Sequence, residues 1–185
     1  KLASSKSFIF LFFNFISFLI KSLYWVLSIK EFSYKFFKTI SLLILAFFID
    51  LNGLYYTSGK EHLDNYINLD HIAPHCISRI NYKGILDGES HAIFGGTVLV
   101  REGAIKTDSL QSDKNLVLSP KAEIDSKPSL FIYVDDILAG HGATAGNIDE
   151  KTVYYMRSRG LDLEAASKML IWGLAMEIIE KVNIN

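Results

Sequence analysis

A chain of 185 residues can bury one sizeable core with a small appendage, and its formal net charge of −1 gives no electrostatic reason to propose nucleic-acid binding. A single cysteine, Cys76, excludes an internal disulfide framework and an all-cysteine metal site, and it suits a reducing compartment. The mean composition conceals a split. All 12 Gly and all 3 Pro lie beyond residue 50, 11 of the 13 Phe lie before it, and no acidic residue precedes Glu31.

Within residues 1–50, Phe8–Ile29 carries one charge, Lys21, and is long enough to span a bilayer as a helix. Lys1 and Lys6 precede it and Lys30, Lys35 and Lys38 come after it, so positive charge selects no orientation. The second apolar run, Ile40–Ile49, is too short to span, and a signal peptide fits poorly because the apolar run is long and lacks a small-residue cleavage site at its end. Three readings compete: a membrane anchor, an apolar helical hairpin of a soluble protein, and a segment that is not the natural partner of residues 51–185. The last is favoured, because Phe, Ile, Lys, Leu, Tyr, Asn and Ser dominate as in translated AT-rich sequence read out of frame. The expectation is a helical leader foreign to the remainder, whose deletion leaves solubility unchanged or improved. The chain itself, beginning on Lys1, is expected to be a fragment.

Beyond residue 50 the pattern changes to strands. Leu51–Tyr56, His62–Asp70, Cys76–Leu86 and Ser90–Val100 are rich in β-branched, aromatic and Leu residues. Gly59-Lys60, Ala73-Pro74, Asp87-Gly88 and Glu102-Gly103 punctuate them. No room remains for crossover helices, which argues against a βαβ fold. An antiparallel sandwich and a parallel β-helix both satisfy the pattern, and no exact short repeat establishes a solenoid. Asp64, Asp70, Asp87, Asp108, Asp113 and Asp125 fall one per segment, as corner residues do, and Asp135-Asp136 is the one adjacent pair. His62, His71 and His75 lie near Cys76 in sequence, a donor set that could serve a small metal-binding β-fold enzyme. Their spacing matches no known finger, and the plainer reading is polar residues of a β ladder around a buried thiol. No phosphate-binding Gly-rich loop ending in Gly-Lys-Ser/Thr is present, so any ATP used must be bound by a partner.

From Lys106 to Glu150, short apolar runs (Asn115–Leu118, Leu130–Val134, Ile137–Ala139) lie between turn-rich pieces and lead to His141, flanked by Gly140 and Gly142. After His141 the periodicity becomes helical, which places the histidine at the strand–helix junction. Asp149 or Asn147 caps a helix to about Arg159, with Gly160 as its stop, and Asp162 caps a second from Leu163 to about Val182. The second helix carries two apolar stripes, Leu163/Ala166/Leu170/Leu174 and Met169/Trp172/Met176/Ile179. Ile171 and Ala175 extend apolar character onto the side that Glu164 and Lys168 begin, which suits a partner groove. Glu177 projects into the first stripe, where a bare carboxylate is costly, so Arg157, Arg159 or a basic partner residue is expected to meet it.

Read together, QSDKNLVLS, AEIDSKPSL, DD, HGAT and YYMRSRG, preceded by LNGLYY, HLDN, APHC, SR, YKGILDG and KTD, resemble in order and spacing the C-terminal core of the SufB/SufD family of iron–sulfur assembly scaffolds, the SufD branch in particular. The likeness runs from about Leu51 to Val182. It implies a mainly β architecture, a right-handed parallel β-helix over 51–146, then a helical hairpin over 147–185, with an open end near Leu51. It also implies a non-catalytic scaffold, cytoplasmic or in the plastid stroma. A SufB-like subunit and a SufC-like ABC ATPase are its implied partners, and the iron–sulfur cluster is held only transiently at a shared interface. Where the SufB pattern has Gln-Cys-Asp and a Glu after the later histidine, this chain has Gln111-Ser112-Asp113 and His141-Gly142. Ser112 offers no thiolate and Gly142 no carboxylate. His141 matches the SufD histidine that the family assigns to cluster assembly, which makes it the candidate metal-contacting residue. Ile171, Ala175 and Glu177 are the candidates for docking the ATPase. A membrane role arises only if residues 1–50 are a genuine anchor.

Overall fold

The structure, a computed structural model, describes residues 8–15, 36–44 and 48–181. From Phe48 onward the chain coils. Strands β3 (Phe48–Thr57), β5 (Ile77–Leu86), β7 (Asp108–Val117) and β9 (Leu138–Gly146) stack in parallel as one sheet, and β4 (His62–His71), β6 (His91–Val100) and β8 (Glu123–Ile132) as the other. Phe48 pairs with Ile77, Ile77 with Asp108 and Asp108 with Leu138, so each coil takes about thirty residues before it returns to the same place. The result is a parallel β-solenoid whose lumen is the core.

Alternation along each strand sends every second side chain inward. Leu51, Tyr55, Leu63, Ile67, Leu69, Ile80, Tyr82, Leu86, Phe94 and Val98 fill the lumen in one continuous cluster. Register stacks like faces, so Leu51, Ile80, Gln111 and His141 form one inward column and Gly53, Tyr82, Asp113 and Ala143 the next. The corners stack too. Gly59 and Gly88 both have positive φ, and a Cβ on Gly88 would lie 2.6 Å from Gly59 N, which confines that corner to glycine. At the opposite corner His75, Lys106 and Asp136 repeat the left-handed conformation, His75 N–H donating to Ile105 O and Lys106 N–H to Asp136 O.

The N-terminal expectation needs correction. Phe8–Phe15 is a strand, β1, antiparallel to β3, and Phe36–Ile44 is a strand, β2, parallel to β4. An apolar run rich in Phe and Ile has high strand propensity, and the unpaired edges of β3 and β4 offer it backbone partners that a lone helix would not use. The edge expected to be open near Leu51 is therefore paired with β1. The remainder of the expected spanning helix, 16–29, lies outside the described residues. Among the described residues no helix is long and apolar enough to cross a membrane.

Two helices come after β9. Asp149 caps α1 (Glu150–Ser158), its carboxylate accepting from the backbone of Lys151 and Thr152, and Gly160 with φ +94° ends the turn. Asp162 caps α2 (Leu163–Ile179) through Ala165 N–H. One face of α2 lies on the outside of the first sheet, where Ala175 and Ile178 pack with Leu54 and Ile85, and Ile171 and Leu174 join them. Helical spacing alone puts Ile171 and Ala175 on an exposed side. The sheet instead covers Ala175, which is 8% exposed, and partly covers Ile171. Lys83, on the outer face of β5 and 4% exposed, donates from Nζ to Leu174 O and pairs with Glu177. The partner of Glu177 is thus Lys83 rather than Arg157 or Arg159. A lysine stem buried under the helix delivers its charge to the helix edge, a long-range contact that helical spacing cannot reveal.

Candidate functional site

The solenoid ends on β8 and β9. Neither has a strand on its far side among the described residues, so their outward N–H and C=O groups form two free edges. Apolar side chains cluster there: Phe131 is 50%, Tyr133 60% and Leu138 71% exposed. His141 sits within β9 and is exposed. It is not at the strand–helix junction, because β9 continues to Gly146 and α1 begins only at Glu150. Small residues (Gly140, Gly142, Ala143, Ala145, Gly146) hide this last strand from hydropathy.

Register gives the ring a direction. Gln111 points into the lumen, and parallel partners share a face, so His141 stands on the lumen face one coil above it. It is exposed because no further coil closes over it among the described residues. Gly140 and Gly142 lie on the outer face, Gly140 above Leu110, so neither shadows the ring. Ser112, the residue standing where a thiolate is found in the SufB pattern, also belongs to the outer face and does not share the lumen with His141.

Beneath His141 the lining turns polar. Ser109, Gln111, Asp113 and Asn115 alternate inward from β7. Asp113 Oδ2 accepts from Asn115 Nδ2 at 2.7 Å and from Ser126 Oγ of β8 at 2.6 Å. Asn115 Oδ1 accepts from Tyr55 OH at 2.6 Å. Burial pushes the Asp113 carboxyl up, and the two donated hydrogen bonds only partly oppose it. Burial likewise holds Tyr55 and Tyr82 far above the usual phenol range. Gln111 reaches across to the second sheet, where a Cβ on Gly96 would overlap its Nε2. Asp113 is therefore a lumen residue rather than the corner residue expected, and Gln111, to which the motifs assign no role, lines the lumen beside it. The available signal was polarity at every second position of β7, Ser109 to Asn115, when the coils below are lined with Leu, Ile and Tyr.

The rival donor set does not assemble. His71 is buried, its Nε2 3.0 Å from Ser78 Oγ, and burial pushes its pKa down to about 4. His75 is exposed at a corner. Cys76 is 1% exposed, Sγ 3.7 Å from Pro74 O, and burial pushes its thiol up. His62 lies on the outer face beside Asp64, 2.7 Å away, and stacks edge-on with His91 at 4.9 Å between centroids. Alternation and the corner leave His62 outside, His75 exposed at a corner, and His71 and Cys76 in the interior, and no three His, Cys, Asp or Glu gather to hold a metal among the described residues. Asp135-Asp136 is a corner, Asp136 pairing with Lys106 at 2.8 Å, and not an acid–base dyad.

The described residues form a parallel β-solenoid with a helix pair on one flank and an exposed imidazole, His141, on its last strand. The family model described as "SUF system FeS cluster assembly, SufBD core domain" matches residues 48–174. The chain belongs to the SufB/SufD family, and its C-terminal part is SufD-like. It is 38% identical over 130 residues to the iron–sulfur cluster assembly protein SufD of Escherichia coli (strain K12), covering 70% of this chain and 31% of that protein. It is 36% identical over 143 residues to an iron–sulfur cluster assembly SufBD family protein of Mycobacterium leprae, covering 73% and 36%. It is 38% identical over 120 residues to Protein ABCI7, chloroplastic, of Arabidopsis thaliana, covering 64% and 25%. The chain thus spans about a third or less of the length of these relatives.

Proposed function

We propose that this chain is a non-catalytic scaffold segment of an iron–sulfur cluster assembly complex. A SufB-like subunit adds its own strands to the free edges of β8 and β9 and closes the lumen over His141. The cluster is a transient cargo held between that imidazole and ligands of the partner. The observation that carries the reading is His141, exposed on the lumen face of a coil whose two edges are unpaired among the described residues. A neutral imidazole is a good ligand for iron.

A SufC-like ABC ATPase docks on the helix pair. Ala175 is covered, so the docking surface is the outer side of the helices, where Trp172 is 62%, Met169 55%, Leu163 56% and Tyr154 76% exposed. Such an apolar strip suits a partner groove. Glu177 remains at its margin, tied to Lys83. The assembly is placed in the cytoplasm or the plastid stroma, in line with the bacterial and chloroplastic relatives. Replacing His141 with Ala in the full protein and measuring cluster formation by the assembled complex tests the role. Loss of cluster with an intact complex is expected, whereas unchanged cluster formation rejects it.

A further inference from the structure

The two free edges, β8 and β9, are not alike. Glu123 N–H at the start of β8 and Tyr133 N–H just past its end both donate downward, to Ser90 O and Val100 O at 2.9 Å. Backbone groups of successive strand residues point to opposite edges, so Ile124, Ser126, Pro128, Leu130 and Ile132 face the free side. Proline has no N–H, and Pro128 therefore breaks the row of donors on that edge. In β9, Leu138 N–H donates down to Thr107 O, which leaves Ala139, His141, Ala143 and Ala145 facing the free side as an unbroken row. The outward side chains differ in the same sense. β8 presents exposed Glu123, Asp125 and Lys127, whereas β9 presents Leu138, Gly140, Gly142 and Thr144 without a charge. Proline and charge on an edge strand refuse casual partners, and here both lie on one of the two edges.

The lower coils show how outward charges are used. Arg79 pairs with Asp108 at 2.6 Å, Arg101 with Asp70 at 2.7 Å, Lys121 with Glu89 at 2.6 Å and Lys106 with Asp136 at 2.8 Å, each joining one coil to the next. Asp125 has the half-buried His91 below it, 3.4 Å away, and neither Glu123 nor Lys127 forms an ion pair among the described residues. We propose that β8 is the selective edge. It accepts a strand of the SufB-like subunit that carries Lys or Arg facing Glu123 and Asp125, and it pairs with that strand only up to Pro128, while β9 supplies the uninterrupted, unselective ladder. The inference rests on the strand-addition reading given above and adds to it the chemistry and register of the partner strand. Opposite charges across a strand pair attract and like charges repel, so Glu123 and Asp125 fix which register of the incoming strand is accepted. A strand with acidic residues at those places is turned away.

The probe is the SufB-like subunit itself, bound to the full protein and followed by biolayer interferometry and amide hydrogen exchange. Wild-type affinity is expected to fall as salt rises from about 0.05 to about 0.3 M, because exposed charge pairs are screened. Glu123→Lys combined with Asp125→Lys should weaken binding about tenfold at the lower salt and remove most of the salt dependence. Glu102→Lys, at an exposed corner one coil below, should bind as wild type does. In the complex the amides of Ile124 and Ser126 should gain protection while those of Leu130 and Ile132 stay fast. Equal binding by wild type and the double variant overturns the proposal, as does an equal loss in Glu102→Lys. Protection that runs on through Leu130 and Ile132 overturns it too. The two readings separate. Binding that ignores the charge reversal while protecting β9 keeps strand addition and ends the selective role of β8. No binding of the subunit by the wild type removes both.

Discussion

Mild acid should destabilise this fold through one residue. His71 is 0% exposed in the lumen, and its Nε2 lies 3.0 Å from Ser78 Oγ, whose own proton goes to Ser109 Oγ at 2.7 Å. Ser78 therefore accepts from Nε2–H, and Nδ1 is left as a bare acceptor with no partner. A second proton would place an N–H where nothing receives it. Burial accordingly pushes the ring from 6.5 to about 4, against a smaller opposing pull from Asp70. Between those values the unfolded chain binds more protons than the folded one. The contribution is fully present above about pH 6.5 and is lost as pH falls towards 4. Linkage gives a loss of about 2 kcal/mol by pH 5 and about 3 kcal/mol by pH 4. Against a typical domain stability of about 5–15 kcal/mol, that is a large share. Urea unfolding of wild type and His71→Gln from about pH 7 to about pH 4.5 measures it. Wild type should lose about 2 kcal/mol more than the variant on going from about pH 7 to about pH 5. Parallel stability curves for the two proteins would refute the reasoning.

Two further substitutions probe the frame that presents the site. Glu177→Gln should cost about 1 kcal/mol in chemical denaturation, because Lys83 stays buried while its 61%-exposed partner is screened by solvent. The Lys83 hydrogen bond holds the Glu177 carboxyl below its usual range, so this increment is present at neutral pH and lost as pH falls through the carboxylate range. A variant as stable as wild type at neutral pH would show that the pair does not fasten α2. Gly96→Ala should destabilise by about 1–3 kcal/mol, since the added methyl overlaps Gln111 Nε2 and lies 3.1 Å from Phe94 Cε1. An unchanged melting temperature would show that Gln111 does not cross the lumen.

The strands and helix caps were legible because their signals are local. Gly59 and Gly88 mark corners, Asp149 and Asp162 cap helices, and Gly160 stops one, each acting within a few residues. The coil repeat was not legible from pattern, because stacked positions share a face and not a chemistry: Leu51, Ile80, Gln111 and His141 have little in common beyond direction. The likeness to a family, not periodicity, pointed to a parallel coil. Helical spacing found the two stripes of α2 but could not say that the sheet would cover Ala175 and leave Trp172 in solvent. Hydropathy did not separate an apolar helix from the apolar strands β1 and β2, which depend on sheet edges more distant in the chain. Lys83–Glu177 and the Gln111–Asp113 floor arise only from register, which no single segment encodes.

The scaffold role requires that the terminal coil be the surface a SufB-like subunit completes. Amide hydrogen exchange of the full protein, measured at 123–132 and 138–146 with and without that subunit, tests this directly. Strong new protection in β8 and β9, with the coils below them unchanged, is the predicted result. Binding that leaves β8 and β9 exchanging as freely as before would contradict it.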